Sequence, residues 1–149
     1  MPNTNALPIG TLAERTGCNV PTIRYYEEIG LLPRAARKAS GHRVYSDADM
    51  RRLLFIRRCR DFGFPIEQVR ALVGLNDEGS RNCMEARNLA QEHLNVVREK
   101  IREMKALERS LSQFVVSCNT ACAGGPASAC VILEDLASAE GCTSGCKPA

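Results

Sequence analysis

The chain has no tryptophan and few other aromatic residues, three tyrosines and four phenylalanines among 149 residues. So few rings disfavour a large aromatic-lined substrate pocket. No apolar run approaches the ~18 residues that a membrane-spanning helix needs. The first ten residues also lack a basic segment followed by an apolar core, the pattern of a secretion signal. We therefore expect a cytoplasmic protein with no membrane partner.

Histidine is equally scarce, with His42 and His93 as the only two. The sequence shows no Ser/His/Asp set, no phosphate-cradling glycine loop and no histidine-rich open metal site. We interpret His93 as a surface or helix-seam residue. These absences predict that the chain is not an enzyme.

What the sequence does contain is unevenly distributed. Residues 1–75 carry 12 Lys and Arg against 7 Asp and Glu, a net +5, whereas residues 76–149 carry 8 against 10, a net −2. A basic N-terminal half suggests a polyanionic partner, with a solvated charged surface as the alternative. Six of the eight cysteines lie in the second half. In a reducing compartment they favour metal binding or redox sensing over a disulfide framework.

The first segment predicts two short helices joined by a tight turn. Ile9–Arg15 has its apolar residues on one face, and Gly17 suits a left-handed cap. Asn19 is a suitable N-cap for the second helix, and Pro21 falls in the first turn of that helix, where its missing N–H does no harm. This arrangement is a helix-turn-helix pattern.

The following segment completes a mainly α domain, which we assign to residues 7–75. Residues 32–45 predict a small β-wing that contains a strand at His42–Tyr45. Ser46 then caps a third helix. Pro65 opens a fourth helix, and residues 76–82 form a hinge.

The second half predicts one long dimerisation helix over residues 83–117. Its apolar residues alternate steps of three and four, as in a two-helix seam: Leu94, Val97, Ile101, Met104, Leu111 and Val115. A helix of ~33 residues is ~50 Å long, too long for one small domain to cover. We predict an antiparallel coiled-coil homodimer. The alternative is a monomer whose helix folds against its own N-terminal domain.

The combined motifs strongly resemble regulators of the MerR family, metal-sensing branch. The matching stretches are Ile9–Ala13, Thr22–Glu27, Gly30–Leu32, Gly41–Tyr45, Phe55–Arg57 and Gly63–Phe64, within a resemblance that covers roughly residues 7–136. The resemblance implies a winged helix-turn-helix domain joined to an antiparallel dimerisation helix. It also implies a homodimer on promoter double-stranded DNA. Metal binding would then distort the DNA so that RNA polymerase engages both promoter elements and metal-resistance genes are activated.

The second helix should enter the major groove of DNA. Thr22, Arg24 and Tyr25 match contact positions of the family, and Arg24 can pair with a phosphate or a guanine edge. We expect Tyr25 to face DNA and Tyr26 to pack in the core.

Residues outside the second helix complete the predicted DNA contacts. In the wing, Arg43 and Tyr45 match positions of the family that contact the DNA backbone. Arg60 should reach phosphate from the third helix. Cys18 and Cys59 lie within helical patterns, and we interpret them as structural thiols.

Three cysteines match the metal-binding positions of that branch: Cys83, Cys118 and Cys130. The last two flank the loop of a C-terminal metal-binding segment, residues 118–136. Cys83 and Cys118 lie ~50 Å apart along one helix, so they cannot share an ion within one chain. In an antiparallel dimer, Cys83 of one protomer can join Cys118 and Cys130 of its partner. A cysteine at position 83 resembles the divalent type, which covers zinc, cadmium, lead and mercury.

The remaining cysteines leave alternatives open. The loop between Cys118 and Cys130 is longer than usual for metal-sensing members, and the spacing from Cys122 to Cys130 resembles that of monovalent, copper-type sensors. Cys122 therefore replaces Cys118, supplies a fourth ligand or binds a second metal. Cys142 and Cys146, in a tail over residues 137–149, either capture the ion or have no fixed role. An iron–sulfur redox sensor is the nearest rival function, and a metal-storage protein is another.

Overall fold

The computed structural model describes residues 6–121 and 124–138 of the chain. The chain divides into two compact units, one that ends at His93 and one that begins at Leu94. The described residues are mainly helical, with one small sheet. Among them, no helix is both long and apolar enough to cross a bilayer.

The helix-turn-helix forms as its capping residues predict. Helix α1, Ile9–Thr16, ends at Gly17, whose φ of 64° lies in the left-handed region. A Cβ at Gly17 would also overlap the guanidinium group of Arg57, so a larger residue would displace that side chain as well as strain the backbone. Helix α2, Val20–Glu28, begins after Asn19, whose side chain accepts a 2.8 Å hydrogen bond from the Thr22 amide.

The wing belongs to a three-stranded antiparallel sheet. Its strands are β1, Leu7–Pro8, β2, Ala36–Arg37, and β3, Arg43–Tyr45, in the order β1-β3-β2. The strand predicted at the end of the wing is confirmed, but β1 has no counterpart among the predicted elements. Leu7 of β1 pairs with Tyr45 of β3, and both side chains are buried.

Two further helices complete the first unit. Helix α3, Asp47–Asp61, begins with a reciprocal capping box between Ser46 and Asp49. Helix α4, Ile66–Asp77, follows Pro65 and extends two residues into the predicted hinge. The core draws on the helix-turn-helix, the wing and these two helices, and its fully buried side chains include Leu12, Ile23, Leu31, Leu32, Tyr45, Leu53, Ile56 and Val69.

Helix α5, Cys83–Ala121, is the longest element, with 39 residues and no buried side chain. It continues four residues beyond the predicted end at 117, so Cys118 lies in the last helical turns rather than in the loop. A 3₁₀ turn at Ala127–Ala129 and helix α6, Val131–Ala137, follow.

Candidate functional site

Helix α2 exposes one tyrosine and buries the next. Tyr25 is 46% exposed and Tyr26 is 6% exposed, which confirms the predicted orientation of the pair. Arg24 is exposed beside Tyr25, and Thr22 is half-buried at the first turn. Tyr25 and Arg24 are therefore available to a ligand on the outer side of the helix-turn-helix.

Arg24 and the wing together form a basic face, which we define as Arg24, Arg34, Arg37, Lys38 and Arg43. Arg24, Arg37 and Arg43 line two depressions, of about 510 Å³ and 300 Å³. Lys38 also lines the larger one and Arg34 the smaller one. Within the described residues none of the five forms an ion pair, whereas Arg52, Arg57 and Arg81 do. Glu27 and Glu28 also line the smaller depression. Five cations therefore face two carboxylates, and this excess of positive charge suits a polyanion such as the DNA backbone.

Tyr45 lies beneath the basic face rather than on it. Its side chain is 1% exposed, and its hydroxyl donates a 3.0 Å hydrogen bond to Glu27 Oε1. Burial, together with the hydrogen bond to Glu27, raises the pKa of Tyr45 to about 12. The Tyr45 side chain therefore lies in the core rather than on the exposed surface, and the predicted DNA contact of Tyr45 stays a prediction. The ring is turned into the core because β3 pairs with β1, a strand that the sequence pattern did not reveal.

Glu27 is a residue that sequence reasoning missed. This nearly buried carboxylate also accepts a 2.9 Å hydrogen bond from the Ala35 amide. It thereby connects α2 to both the beginning and the end of the wing. Two of its neighbours in the smaller depression are Arg24 and Arg43. Glu27 therefore positions the basic face from below, and no local pattern signals this role.

Arg60 and the two cysteines of the first unit have contacts within the chain. Arg60 is exposed on α3, and its Nη1 donates a 2.7 Å hydrogen bond to the Phe64 carbonyl. Its DNA contact stays a prediction. Cys59 is buried, and burial raises the pKa of its thiol, whereas Cys18 is half-buried against the core. Both placements agree with structural roles.

The three predicted metal ligands lie on the two units. Cys83 is the first residue of α5 and is exposed, in the first unit. In the second unit, Cys118 is half-buried in the last turns of α5, and Cys130 is half-buried at the N-cap of α6. All three side chains carry a sulfur atom that can bind a metal ion. Their sulfur chemistry fits a soft, thiophilic cation.

In the part of the chain that the structure describes, no group of three or more His, Cys, Asp or Glu side chains could hold a metal ion. Cys122, Cys142 and Cys146 lie outside the described residues. Their predicted roles therefore stay predictions.

The part of α5 in the second unit carries an apolar stripe, defined as the six predicted seam residues Leu94, Val97, Ile101, Met104, Leu111 and Val115. These side chains are 39–64% exposed. A shallow apolar depression of about 510 Å³ lies along the stripe and is lined on its flank by Leu107 and Val116. An exposed stripe of this length indicates a surface for another helix.

Comparison with known proteins gives consistent matches over most of the chain. The family model for the "MerR HTH family regulatory protein" matches residues 7–74, and that for "MerR, DNA binding" matches residues 50–114. The HTH-type transcriptional regulator HmrR of Rhizobium leguminosarum is 40% identical, over 86% of this chain and 95% of its own length. The HTH-type transcriptional regulator ZntR of Escherichia coli K12 is 37% identical, over 93% of this chain and 98% of its own length.

Among solved structures, the transcription regulator PbrR691 of Ralstonia metallidurans CH34, in complex with lead(II), is similar throughout. It is 37% identical with a TM-score of 0.75, and the match covers 88% of this chain and 99% of that one. The similarity therefore includes the winged helix-turn-helix and the long helix.

Proposed function

Because the chain belongs to the MerR family of helix-turn-helix transcriptional regulators, in its heavy-metal-responsive branch, we propose that it is a homodimeric activator with an intersubunit metal site. It binds promoter DNA through α2 and the wing. A divalent thiophilic ion binds Cys83 of one protomer together with Cys118 and Cys130 of the partner. The bound ion changes the shape of the promoter so that RNA polymerase can use it.

The DNA-binding half of the proposal rests on the basic face. Arg24 and Tyr25 are exposed on α2, where a recognition helix meets base edges and phosphates. Arg37 and Arg43 lie on the wing and line the larger depression together with Arg24. From there they suit phosphates of the DNA backbone beside the major groove. Thr22 contributes from the first turn of α2, and Arg60 from α3.

The dimer follows from the apolar stripe. Six apolar side chains at seam spacing are exposed on a helix with no buried residue. Burying them against a second copy removes apolar area from water, at roughly 25 cal/mol per Å². In an antiparallel pair, the beginning of one α5 lies beside the end of the other. The exposed apolar stripe on α5 is the observation that carries the proposal.

The metal site then follows from where α5 begins and ends. Cys83 is its first residue, and Cys118 lies 35 positions later in its last turns. At about 1.5 Å per residue, that spacing is roughly 52 Å, far beyond one coordination sphere. Three thiolates drawn from two chains supply the negative charge and the trigonal or tetrahedral geometry that suit a divalent soft ion.

The lead(II) complex of PbrR691 supports a metal of this class. Zinc, cadmium, mercury and lead all bind thiolates, and thiolate affinity alone does not choose among them. Whether Cys122 joins or replaces a ligand is part of the proposal's test, as are the roles of Cys142 and Cys146.

The test is induction of a promoter reporter by zinc, cadmium, mercury, lead, copper and silver. Single serine variants of Cys83, Cys118, Cys122 and Cys130 are compared, with Cys18→Ser as the control for a cysteine outside the site. We expect Cys83→Ser, Cys118→Ser and Cys130→Ser to abolish the divalent response and Cys18→Ser to retain it. Undiminished divalent responses in Cys83→Ser, or a wild-type response confined to copper and silver, would contradict the proposal.

A further inference from the structure

His93 joins the long helix to the turn between α3 and α4. Its imidazole stacks on the Phe64 ring, with the ring centroids 4.5 Å apart and the planes at 30°. Its Nε2 lies 2.8 Å from the Phe62 carbonyl oxygen. Because a carbonyl only accepts, Nε2 carries the proton in this contact. His93 therefore contacts the turn in two ways, by ring stacking and by a hydrogen bond.

Gly63 lies in this turn, next to the imidazole of His93. Gly63, between the two phenylalanines, has a φ of 83°, and a Cβ on it would lie 3.4 Å from His93 Nε2. Glycine thus permits the left-handed backbone, and the imidazole lies within van der Waals distance of this position. Arg60, on α3, also contacts this turn, because it donates a hydrogen bond to the Phe64 carbonyl.

Contacts continue from this turn to the recognition helix. On α3, the guanidinium group of Arg57 donates a hydrogen bond to the Thr16 carbonyl at the end of α1. Gly17 lies directly against that guanidinium, and Asn19, two residues later, caps α2. A series of packed and hydrogen-bonded groups thus runs from α5 through α3 to the start of α2.

We propose that His93 is a positioning residue that transmits the state of the metal site to the DNA-binding unit. The proposal rests on the proposed function, because Cys83 lies on the same helix, ten residues before His93. The part of α5 in the first unit begins with Cys83, a proposed metal ligand, and ends with His93, which contacts the α3–α4 turn. A metal that displaces or twists the beginning of α5 then changes the turn that His93 holds. Such a coupling needs an element with two arrangements, and the test addresses whether His93 links them.

The test separates binding from transmission in the full-length dimer. Lead(II) affinity is measured by chelator competition, operator affinity by fluorescence anisotropy, and DNA distortion by the fluorescence of 2-aminopurine in the promoter spacer. We expect His93→Ala to retain lead(II) and operator affinity but to reduce the lead-induced fluorescence change and reporter induction by roughly two- to thirtyfold. Glu92→Gln, at the preceding exposed position, is the control.

Two conservative variants distinguish the two contacts of the ring. His93→Phe retains stacking on Phe64 but cannot donate to the Phe62 carbonyl, whereas His93→Gln retains a donor without an aromatic ring. We expect partial induction from each and the least from His93→Ala. Wild-type induction by His93→Ala overturns the inference, and so does a loss of operator or lead(II) affinity that matches the loss of induction. Failure of the proposed function has a different signature, because Cys83→Ser would then still bind and respond to lead(II).

Discussion

The Tyr45 hydroxyl donates a hydrogen bond to the carboxylate of Glu27 across 3.0 Å, and both side chains are buried beneath the basic face. Glu27 lies on the recognition helix and Tyr45 on the last strand of the wing. Since Glu27 also accepts from the Ala35 amide, one oxygen fixes the wing at both of its ends. The geometry of the basic face therefore depends on a pair of buried side chains that lie beneath it.

Removing this acceptor should destabilise the first unit. In Glu27→Ala the Tyr45 hydroxyl and the Ala35 amide both lose their partner, at about 1–3 kcal/mol for each buried group. Tyr45→Phe removes one hydrogen bond, for about 1 kcal/mol. Urea denaturation measures both, and Glu27→Gln, which retains the Oε1 acceptor, is the control. Equal stability of Glu27→Ala and Glu27→Gln would contradict this role.

The same pair predicts a loss of stability in alkali. Burial and the hydrogen bond to Glu27 raise the pKa of Tyr45 from 10.0 to about 12 in the folded protein. Burial likewise raises the pKa of Tyr26 and of the Cys59 thiol. In each case the folded state favours the protonated form, so the stabilisation is complete below the unfolded pKa and is lost as the pH rises through the folded pKa.

Denaturation in urea at about pH 8 and about pH 11 checks this prediction. We expect the stability of the wild type to fall more steeply than that of Tyr45→Phe, because the variant lacks the hydroxyl that must ionise. Parallel pH profiles for the two proteins would show that Tyr45 does not contribute.

Arg24→Ala should weaken operator binding and leave metal affinity unchanged. If Arg24 contacts a base edge, its loss should weaken the free energy of operator binding by about 1–3 kcal/mol. If it contacts a phosphate, its loss should reduce the slope of log K against log salt concentration by about 1. Salt titrations of operator binding distinguish these roles. Arg87→Ala removes an exposed arginine of α5 and should leave both quantities unchanged. An intact gel shift with Arg24→Ala would contradict the assignment of α2 as the recognition helix.

A charge on the apolar stripe should prevent dimerisation. Leu111→Asp would bury an unpaired carboxylate in the seam, which is strongly unfavourable. Ser110→Asp inserts the same charge one position away, off the stripe, and should leave the dimer intact. Light scattering on a sizing column measures the mass of each variant. The same mass for Leu111→Asp and the wild type would locate the dimer contact elsewhere.

The sequence predicted those parts of the fold that local chemistry determines. Asn19 and Ser46 mark helix starts because each side chain accepts a hydrogen bond from the amide three residues later. Pro65 marks one because its ring fixes φ at a value that suits the beginning of a helix. The orientation of Tyr25 and Tyr26 followed from resemblance and helical position, and burial confirms it.

Contacts between residues that are far apart in the sequence could not be predicted from local patterns. Glu27 and Tyr45 are 18 residues apart, and His93 is 31 residues from Phe62. A two-residue strand such as β1 has too short a pattern to be recognised, yet its pairing turns Tyr45 inward. Arg34, Arg37 and Lys38 are close together in the sequence, but their position beside Arg24 depends on the folded wing.

The central claim is that each metal site is built from two chains, and complementation between subunits tests it most directly. A heterodimer carries Cys83→Ser on one chain and Cys118→Ser with Cys130→Ser on the other, and is purified through two different tags. The first chain supplies Cys118 and Cys130, and the second supplies Cys83. We expect one tight lead(II) site per heterodimer, detected by thiolate-to-lead absorbance, and none in either parent homodimer. A heterodimer without that site, alongside a wild-type dimer that binds lead(II), would contradict it.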